Sequence, residues 1–347
     1  MPKELLCIAK GKVAWAEYDE PPLAADQVRV RTEFAAAKHG TEIAGGLKGY
    51  AHARGAYDGR RGLFTLAPAG DPYGRGVPVG NMAVGRVIEA GAEAGALAVG
   101  DRVLTYGGFR QTHVRPARNC WALPDEVPWQ SAVCLDPADF AFAAVRDGNV
   151  RIGDAVAVLG MGAIGLMAVQ IARLAGAHPV IASEPVAARR LLAARLGADV
   201  VLDSHACDVG LEVRSATGGR GADVVIDYSG AMDAFQDALR GVAHGGTVVA
   251  GAFPAAYPAG LDLGAEAHIN IPQIVFSRSC SSPGRDHPRW DERRVFETCL
   301  RLIFAGRLDG RQIVIPVVPF EDLAEHYVRI ADQPDRYVKL GVAVAGA

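Results

Sequence analysis

A glycine-rich stretch at residues 154–184 constrains the fold of this chain more than any other segment. It reads DAVAVLGMGAIGLMAVQIARLAGAHPVIASE. A short apolar run leads into Gly160, Gly162 and Gly165, spaced as G-x-G-x-x-G, and apolar residues then recur with the period of a helix. A second apolar run ends at Glu184. This order of strand, glycine turn, helix, strand and acid predicts a βαβ unit that binds a dinucleotide.

Each glycine has its own physical role in such a unit. Gly160 allows a tight turn, Gly162 lets the backbone approach a pyrophosphate, and Gly165 lets the helix pack closely on the sheet. The N-terminus of the helix presents free N–H groups to the phosphates. Glu184 is placed to accept hydrogen bonds from the adenosine ribose and to repel a 2′-phosphate, which favours NAD as the cofactor. The alternative is a glycine-rich turn that binds no nucleotide.

The segments after this motif predict where the rest of the cofactor binds. Strands alternate with helices, which predicts a parallel sheet whose ligands bind at the carboxyl ends of the strands. We therefore expect contacts at 228–230 and 251–253. Arg189, just beyond the acid, could clamp a phosphate, but we expect it on the exposed face of the next helix. The predicted cofactor-binding residues are Gly160, Met161, Gly162, Ala163, Ile164, Gly165, Ser183, Glu184, Arg189, Tyr228, Ser229, Gly230, Gly251, Ala252 and Phe253.

Length and composition limit the class of protein. A chain of 347 residues suggests about two domains, and a content of 50% hydrophobic and 22% charged residues is typical of a soluble globular protein. The net charge of −3 does not favour nucleic-acid or membrane partners. The N-terminus has no signal-peptide pattern and no apolar run reaches the ~18 residues of a membrane span. The six cysteines form no C-x-x-C pair, so we expect a cytoplasmic protein without a disulfide framework.

The segment 44–79 is rich in glycine, arginine and tyrosine and has no clear period. Loops of this length are usually functional or disordered. Its many donors and flat rings suit a lid over a polar or anionic substrate. A solvated surface loop explains the same composition, and both interpretations remain open at this stage.

The order of these parts is also typical of a known family. GDRV at 100–103, Asp-Pro at 136–137, the nucleotide motif and YVKLGV at 337–342 together resemble the medium-chain dehydrogenase/reductase superfamily, whose best-known members are zinc-type alcohol and polyol dehydrogenases. The resemblance implies an α/β protein with a Rossmann doubly wound parallel sheet at 137–280. It also implies a GroES-like β-rich catalytic domain made of 1–136 and 281–347. A homodimer or homotetramer is the assembly that it implies.

The chain departs from this family at the metal positions. Zinc members have Cys in a C-G-T-D pattern where this chain reads Lys-His-Gly-Thr-Glu at 38–42, and they have G-H-E where it reads Gly-Asn-Met at 80–82. The third metal position falls at Asp136. An ammonium, an amide and a thioether do not form a normal zinc site, and the four-cysteine structural-zinc lobe is missing. These departures from the zinc members predict that this protein is a metal-free member of the superfamily. The alternative is a metal held by His39, Glu42 and Asp136.

Alcohol oxidation without zinc needs another group to take the proton and stabilise the alkoxide. Lys38 is the candidate general acid/base, and His39 is the alternative because it could occupy the same family position. Asn81 would hold the reacting oxygen, and Asp136 would orient the lysine. The other candidates would relay the proton or fix the cofactor ribose. The candidate catalytic residues are Lys38, His39, Thr41, Glu42, Asn81 and Asp136.

These residues have ordinary structural interpretations as well: an exposed lysine at a strand end, an asparagine in a turn, and an acid in the first turn of a helix. The sequence as a whole predicts a zinc-independent, NAD-dependent oxidoreductase acting on a secondary alcohol or ketone of a sugar, cyclitol or polyol derivative. One alternative is an NAD(P)H-dependent enoyl or quinone reductase of the same superfamily. Another is a non-catalytic NAD(P)-binding sensor.

Overall fold

The structure, a computed structural model, describes residues 1–65 and 70–344. Residues 66–69 of the expected lid segment, and the last three residues of the expected C-terminal segment, lie outside this description. The chain forms two compact units, one of Met1–Val133 with Val314–Ala347 and the other of Cys134–Ile313.

The N-terminal part contains ten short or medium strands in its described residues. They are β1 (Lys3–Ala9), β2 (Lys12–Glu17), β3 (Gln27–Ala36), β4 (Ala56–Asp58), β5 (Leu63–Thr65), β6 (Val77–Pro78), β7 (Met82–Ala90), β8 (Arg102–Tyr106), β9 (Thr112–Pro116) and β10 (Cys120–Ala122). Its two α-helices are α1 (His39–Glu42) and α2 (Trp129–Ala132). A π-helix at Ile43–Leu47 continues α1 directly.

The central part alternates helices and strands. Its elements are α3 (Leu135–Asp147), β11 (Val156–Leu159), α4 (Ala163–Leu174), β12 (Val180–Ser183), α5 (Ala187–Arg195), β13 (Val200–Leu202), α6 (Val209–Ala216), β14 (Ala222–Asp227), α7 (Met232–Gly241), β15 (Val242–Ala250), α8 (Glu266–Asn270), β16 (Gln273–Phe276) and α9 (Glu292–Phe304). The C-terminal part adds β17 (Val317–Pro319), α10 (Leu323–Tyr327) and β18 (Gly341–Ala343).

The first unit is built on a mixed sheet in the order β10-β8-β7-β3-β18-β17, with β9 also paired to β3. A smaller sheet has the order β2-β1-β6, and β4 and β5 form a separate hairpin. Strand β18 runs antiparallel to β3 and places Gly341 opposite Ala36. The C-terminal segment therefore lies beside the residues that lead into α1. The core here includes Leu5, Tyr327 and Leu340, each at most 1% exposed.

The second unit is a six-stranded parallel sheet in the order β13-β12-β11-β14-β15-β16. Numbered from β11, this is the 3-2-1-4-5-6 order of a Rossmann fold. Strands β11 and β12 are buried at every residue, as expected for a parallel sheet that is covered on both faces. The predicted α/β fold, with a Rossmann sheet and a β-rich unit, is confirmed.

Two sequence-based expectations differ from the structure. The second unit continues to Ile313 rather than ending at 280, because α9 packs on α3. The apolar run IVIP at 313–316 predicts a strand, but the strand begins only at Val317, and the side chains of Ile313 and Val314 are buried in the core. The described part of 44–79 is a set of short pieces, which include the π-helix and the β4–β5 hairpin. Asp58 caps the hairpin turn by accepting the N–H groups of Arg60 and Arg61.

Within residues 1–65 and 70–344, no helix combines the length and the apolar character that crossing a membrane requires.

Candidate functional site

The glycine turn between β11 and α4 has the geometry that its spacing predicts. Gly160 has a left-handed φ of +89°, and a Cβ there would lie 2.7 Å from the backbone nitrogen of Ser229. A Cβ on Gly165 would overlap the carbonyl oxygen of Gly160, so α4 packs directly on the turn. Gly162 is different, because no atom lies within 4 Å of its Cβ position. The turn therefore excludes side chains at two glycines and opens to free space at the third.

The position of this turn in the sheet matters for ligand binding. The ends of β11 and β14 meet at Gly160 and Ser229, and the strand order reverses between these two strands. Open α/β sheets bind ligands at such a switch point. Helix α4 begins with Ala163 and Ile164, and no side chain caps its N-terminus. Its free N–H groups and the space at Gly162 fit the pyrophosphate of a dinucleotide.

Glu184 ends β12 next to the glycine turn and is 4% exposed. Its Oε2 accepts the N–H of Met161 at 2.7 Å, and its Oε1 accepts the N–H of Val186 at 3.1 Å. The carboxylate is thereby held over the turn, where an adenosine ribose is expected. The carbonyl of Ser183, the preceding residue, accepts the N–H of Gly160 at 2.9 Å.

Arg189 does not lie on an exposed helix face, so that expectation was wrong. Its side chain is 15% exposed, and Nη1 lies 3.9 Å from Oε2 of Glu184. The opposite charge of the buried acid explains this inward position. The side chain of Arg190 instead binds backbone and donates to the Glu184 carbonyl at 2.8 Å. An acid and a guanidinium therefore share the expected adenosine end of the site.

The two strand-end segments are joined by Asp227, a residue that the sequence analysis missed. Its Oδ1 accepts the backbone N–H and the hydroxyl of Ser229 at 2.8 and 2.6 Å. Its carbonyl accepts the N–H groups of Gly251 and Ala252 at 3.0 and 3.2 Å. Burial raises the pKa of Asp227, and the hydrogen bonds from Ser229 oppose that shift. The signal was an acid at the end of the buried run ADVVID.

The remaining strand-end residues differ in what they offer a ligand. The hydroxyl of Tyr228 donates to the carbonyl of Phe140 at 2.8 Å, and its ring lies where a Cβ on Gly251 would be. The Tyr228 side chain therefore points into the unit and leaves only its backbone at the strand end. Gly230 has a left-handed φ of +70°, and Phe253 is exposed.

The first unit brings five candidate catalytic residues together around α1. Lys38 immediately precedes the helix, His39 begins it, and Glu42 ends it. His39 Nε2 accepts the backbone N–H of Leu340 at 2.8 Å, so the neutral ring carries its proton on Nδ1. This bond fixes the ring against the segment that precedes β18. Thr41 points its side chain outward and is exposed.

Glu42 connects α1 to the turn before β7. Its carboxylate is buried, and Oε1 accepts the N–H of Gly80 at 2.6 Å. Burial raises the pKa of Glu42, while the N–H groups of Gly80 and Lys38 and the ammonium charges of Lys339 and Lys38 oppose the rise. One oxygen of this carboxylate therefore holds the backbone at Gly80, and the predicted role of Glu42 in relaying the proton or fixing the cofactor ribose stays a prediction.

Asn81 follows Gly80 and has a fixed backbone. Its N–H donates to the Ala36 carbonyl at 3.0 Å, and its carbonyl accepts the N–H of Gly107 at 2.9 Å. Its side-chain Nδ2 is buried and has no hydrogen-bond partner among the described residues. Buried amide donors are normally paired, so this group is available for a ligand oxygen.

Asp136 belongs to the second unit, where it lies in the first turn of α3 and is 4% exposed. Its contact with Lys38 stays a prediction. Across the described ranges 1–65 and 70–344, no three His, Cys, Asp or Glu side chains are grouped closely enough to hold a metal ion. The donor types at the family's metal positions, Lys38 and Asn81 among them, also do not fit zinc.

Sequence reasoning also missed Lys339, which is 2% exposed. Its Nζ donates to the carbonyl of Ala37 at 2.6 Å, next to Lys38. The signal was a single cation inside the apolar run YVKLGV. A lysine in such a run is seldom buried without a charged or polar partner.

Comparison with known proteins gives a consistent family. Residues 163–280 match the family described as zinc-binding dehydrogenase. The chain is 43% identical over 349 residues to D-guloside 3-dehydrogenase of Escherichia coli (strain K12), covering 98% of this chain and 99% of that protein. Over 151 residues it is 38% identical to L-threonine 3-dehydrogenase of Pyrococcus furiosus, which is 43% of each chain.

Two solved structures share the fold over nearly the whole length. 2R,3R-butanediol dehydrogenase from Bacillus subtilis superposes with a TM-score of 0.78 at 21% identity and covers 99% of both chains. A zinc-binding dehydrogenase from Sinorhizobium meliloti 1021, bound to NADP, gives 0.74 at 21% identity with the same coverage.

Proposed function

Since this chain belongs to the medium-chain dehydrogenase/reductase superfamily and is an oxidoreductase of its zinc-binding dehydrogenase family, we propose that it oxidises a secondary alcohol of a sugar, cyclitol or polyol derivative with NAD and without zinc. The observation that carries this proposal is the 43% identity, over nearly its full length, to an enzyme named for a D-guloside. A glycoside is a polar, hydroxylated substrate of the kind that the sequence predicted.

The cofactor part of the proposal rests on the glycine turn and its acid. Enzymes of this superfamily use nicotinamide cofactors, and NAD supplies the hydride acceptor when bound. Gly162 and the N-terminus of α4 would hold the pyrophosphate, and Glu184 the adenosine ribose. The buried carboxylate disfavours a 2′-phosphate, and for this reason we propose NAD rather than NADP. Arg189 Nη1 lies 3.9 Å from that carboxylate, at the same end of the site.

The catalytic part assigns two roles in the first unit. Lys38 takes the proton of the reacting hydroxyl and, once protonated, stabilises negative charge on that oxygen. Asn81 donates a hydrogen bond to the same oxygen through its buried Nδ2. Lys38 thus takes the proton of the alcohol, and bound NAD would supply the acceptor for the hydride whose loss leaves a ketone. His39 is the weaker candidate base, because its Nε2 lone pair is already used by Leu340.

The metal-free part rests on the chemistry of the donor set. The side chains of Lys38 and Asn81 are not among the cysteine, histidine, aspartate and glutamate ligands that zinc takes in proteins. Asp136 keeps its proposed role of orienting Lys38.

We also propose a homodimer or homotetramer that assembles through β16 in the cytoplasm. This strand lies at one edge of the parallel sheet, and it exposes Phe276 and Ile274 beside its unpaired edge. Exposed apolar edge strands are seldom left open in soluble proteins. We expect Phe276→Glu to reduce the mass measured by light scattering, and an unchanged mass would contradict this assembly. The described cysteines are free thiols, which suits a reducing compartment.

The function is tested by a substrate panel read at the absorbance of NADH. We expect turnover of alkyl D-gulosides or related sugars with NAD, and less with NADP. Reduction of enoyl or quinone substrates with no alcohol oxidation would support the reductase alternative. Cofactor binding by calorimetry without turnover on the whole panel would support a non-catalytic sensor.

A further inference from the structure

A buried ammonium lies directly behind the proposed catalytic turn. Lys339 is 2% exposed, and its Nζ donates to the carbonyl of Ala37 at 2.6 Å. Placing an ammonium in a protein interior is costly unless other charges and hydrogen bonds compensate it. The hydrogen bond to Ala37 joins residues that are 302 positions apart in the sequence, so the fold itself brings this partner to the ammonium.

The residues around Lys339 make two further bonds to the same turn. The N–H of Ala37 donates to the carbonyl of Leu340 at 2.9 Å, and the N–H of Leu340 donates to Nε2 of His39 at 2.8 Å. The antiparallel pairing of β18 with β3 creates this arrangement, since the segments beyond Ala36 and before Gly341 run side by side. Lys339 and Leu340 thus hold the backbone of Ala37 on one side of Lys38 and the side chain of His39 on the other.

The charge of Lys339 acts on Glu42, a buried acid of the same unit. Its carboxylate is buried, and the charges of Lys339 and Lys38 both favour its ionised form. Burial raises the pKa of the Tyr327 hydroxyl and of the Cys7 thiol, and the charge of Glu42 adds to both shifts. The carboxylate also accepts the N–H of Gly80, which immediately precedes Asn81. One buried charge couple therefore contacts the backbone of both proposed catalytic turns.

We propose that Lys339 is a positioning residue, which acts with Glu42 to hold Lys38 and Asn81 at a fixed separation. This inference rests on the proposed function, because Lys38 and Asn81 are the groups assigned to the reacting oxygen. In this proposal Lys339 acts through Lys38 and Asn81 and not on the reacting oxygen. Its role is to replace, with one buried ion couple, the rigid frame that metal coordination gives to zinc members.

The structural part of the inference is tested without any substrate. Unfolding by urea is measured for Lys339→Met, Glu42→Gln and the double variant. We expect each single variant to lower the midpoint, and the double variant to lower it by clearly less than the sum, because the second change removes the charge left unpaired by the first. Additive shifts would overturn the couple.

The positioning part is tested by the reactivity of Lys38. Trace acetylation with acetic anhydride, read peptide by peptide by mass spectrometry, gives the relative rate of each lysine. We expect the rate at Lys38 to change at least about fivefold in Lys339→Met, while the exposed Lys48 serves as the internal control. Lys339→Arg keeps the charge and should restore much of the rate. An unchanged rate at Lys38 would overturn the proposal; if Lys339→Met does not fold, Glu42→Gln provides the same comparison.

Kinetics then separates this inference from the proposed function. With turnover of a sugar, Lys339→Met should lower kcat about 100-fold and leave KM and the Kd for NAD within about threefold, with partial rescue by Lys339→Arg. If Lys339→Met and Lys339→Arg lose the same factor in kcat, and KM rises in parallel, the positioning role would be contradicted. If the wild-type protein oxidises no sugar but the unfolding and labelling results hold, the couple stands and only the proposed reaction fails.

Discussion

Gly162 allows cofactor binding to be separated from folding. In Gly162→Ala the new methyl group meets no protein atom within 4 Å, and the backbone, at φ −72° and ψ −175°, is one that alanine adopts. Loss of backbone freedom in the unfolded chain stabilises the variant slightly, and the poorer cap destabilises it slightly. We expect the free energy of unfolding to stay within about 1 kcal/mol of the wild-type value.

The same methyl group should weaken NAD binding strongly. It would occupy the open space in front of α4 in which we place the pyrophosphate. Forcing a methyl group into a filled contact costs about 1–3 kcal/mol, and each 1.4 kcal/mol is a factor of ten. The Kd for NAD should therefore rise roughly 5- to 150-fold.

Gly165→Ala is the matched control in the same turn. Its methyl group would overlap the Gly160 carbonyl oxygen, so α4 must shift and the protein itself should lose stability. Calorimetry with NAD and urea unfolding, applied to both variants, distinguish the two effects. Wild-type affinity in Gly162→Ala, or a loss of stability in it as large as in Gly165→Ala, would refute the placement of the cofactor.

Four further substitutions test other parts of the account. Lys38→Met should lower kcat about 100- to 10,000-fold with the Kd for NAD unchanged, and near-normal turnover at saturating sugar would exclude Lys38 as the acid/base. Asn81→Leu removes one donor to the reacting oxygen and should cost about 100-fold in kcat, whereas a pure KM effect would assign it to ground-state binding. Glu184→Gln keeps an acceptor for the Met161 N–H but loses the charge, so the ratio of kcat/KM for NAD over NADP should fall; a constant ratio would remove the acid from cofactor choice. Burial lowers the pKa of His113 to about 3 in the folded protein, so on acidification the unfolded chain binds this proton first. The free energy of unfolding therefore falls below pH 6.5, by about 2 kcal/mol at pH 5. In urea titrations His113→Phe should lose this acid sensitivity, and an unchanged pH dependence would contradict the assignment.

The nucleotide unit was predictable because its information is local. Strand, turn, helix, strand and acid all lie within 154–184, and the roles of Gly160 and Gly165 follow from spacing alone. The orientation of the Arg189 side chain was not predictable in this way. Arg189 lies on a helix with little hydrophobic periodicity, so the sequence does not indicate which way its side chain points. The side chain points toward Glu184 because the fold places that carboxylate beside it.

The first unit was less predictable because its contacts join distant parts of the chain. The bond from Lys339 to Ala37 crosses 302 residues and exists only because β18 pairs with β3. The sequence predicts catalytic roles for Lys38 and Glu42, and these stay predictions. It did not predict that Glu42 accepts the N–H of Gly80, because backbone donors leave no trace in side-chain patterns.

The central claim is that Lys38, and not a metal ion, supports hydride transfer from a sugar alcohol to NAD. The most direct measurement is the rate of NADH formation on a D-guloside by protein that has been dialysed against a strong chelator, with its metal content determined on the same sample. The account predicts an unchanged rate in protein without stoichiometric metal. A rate that disappears with the loss of one zinc per chain, and returns when zinc is added back, would contradict it.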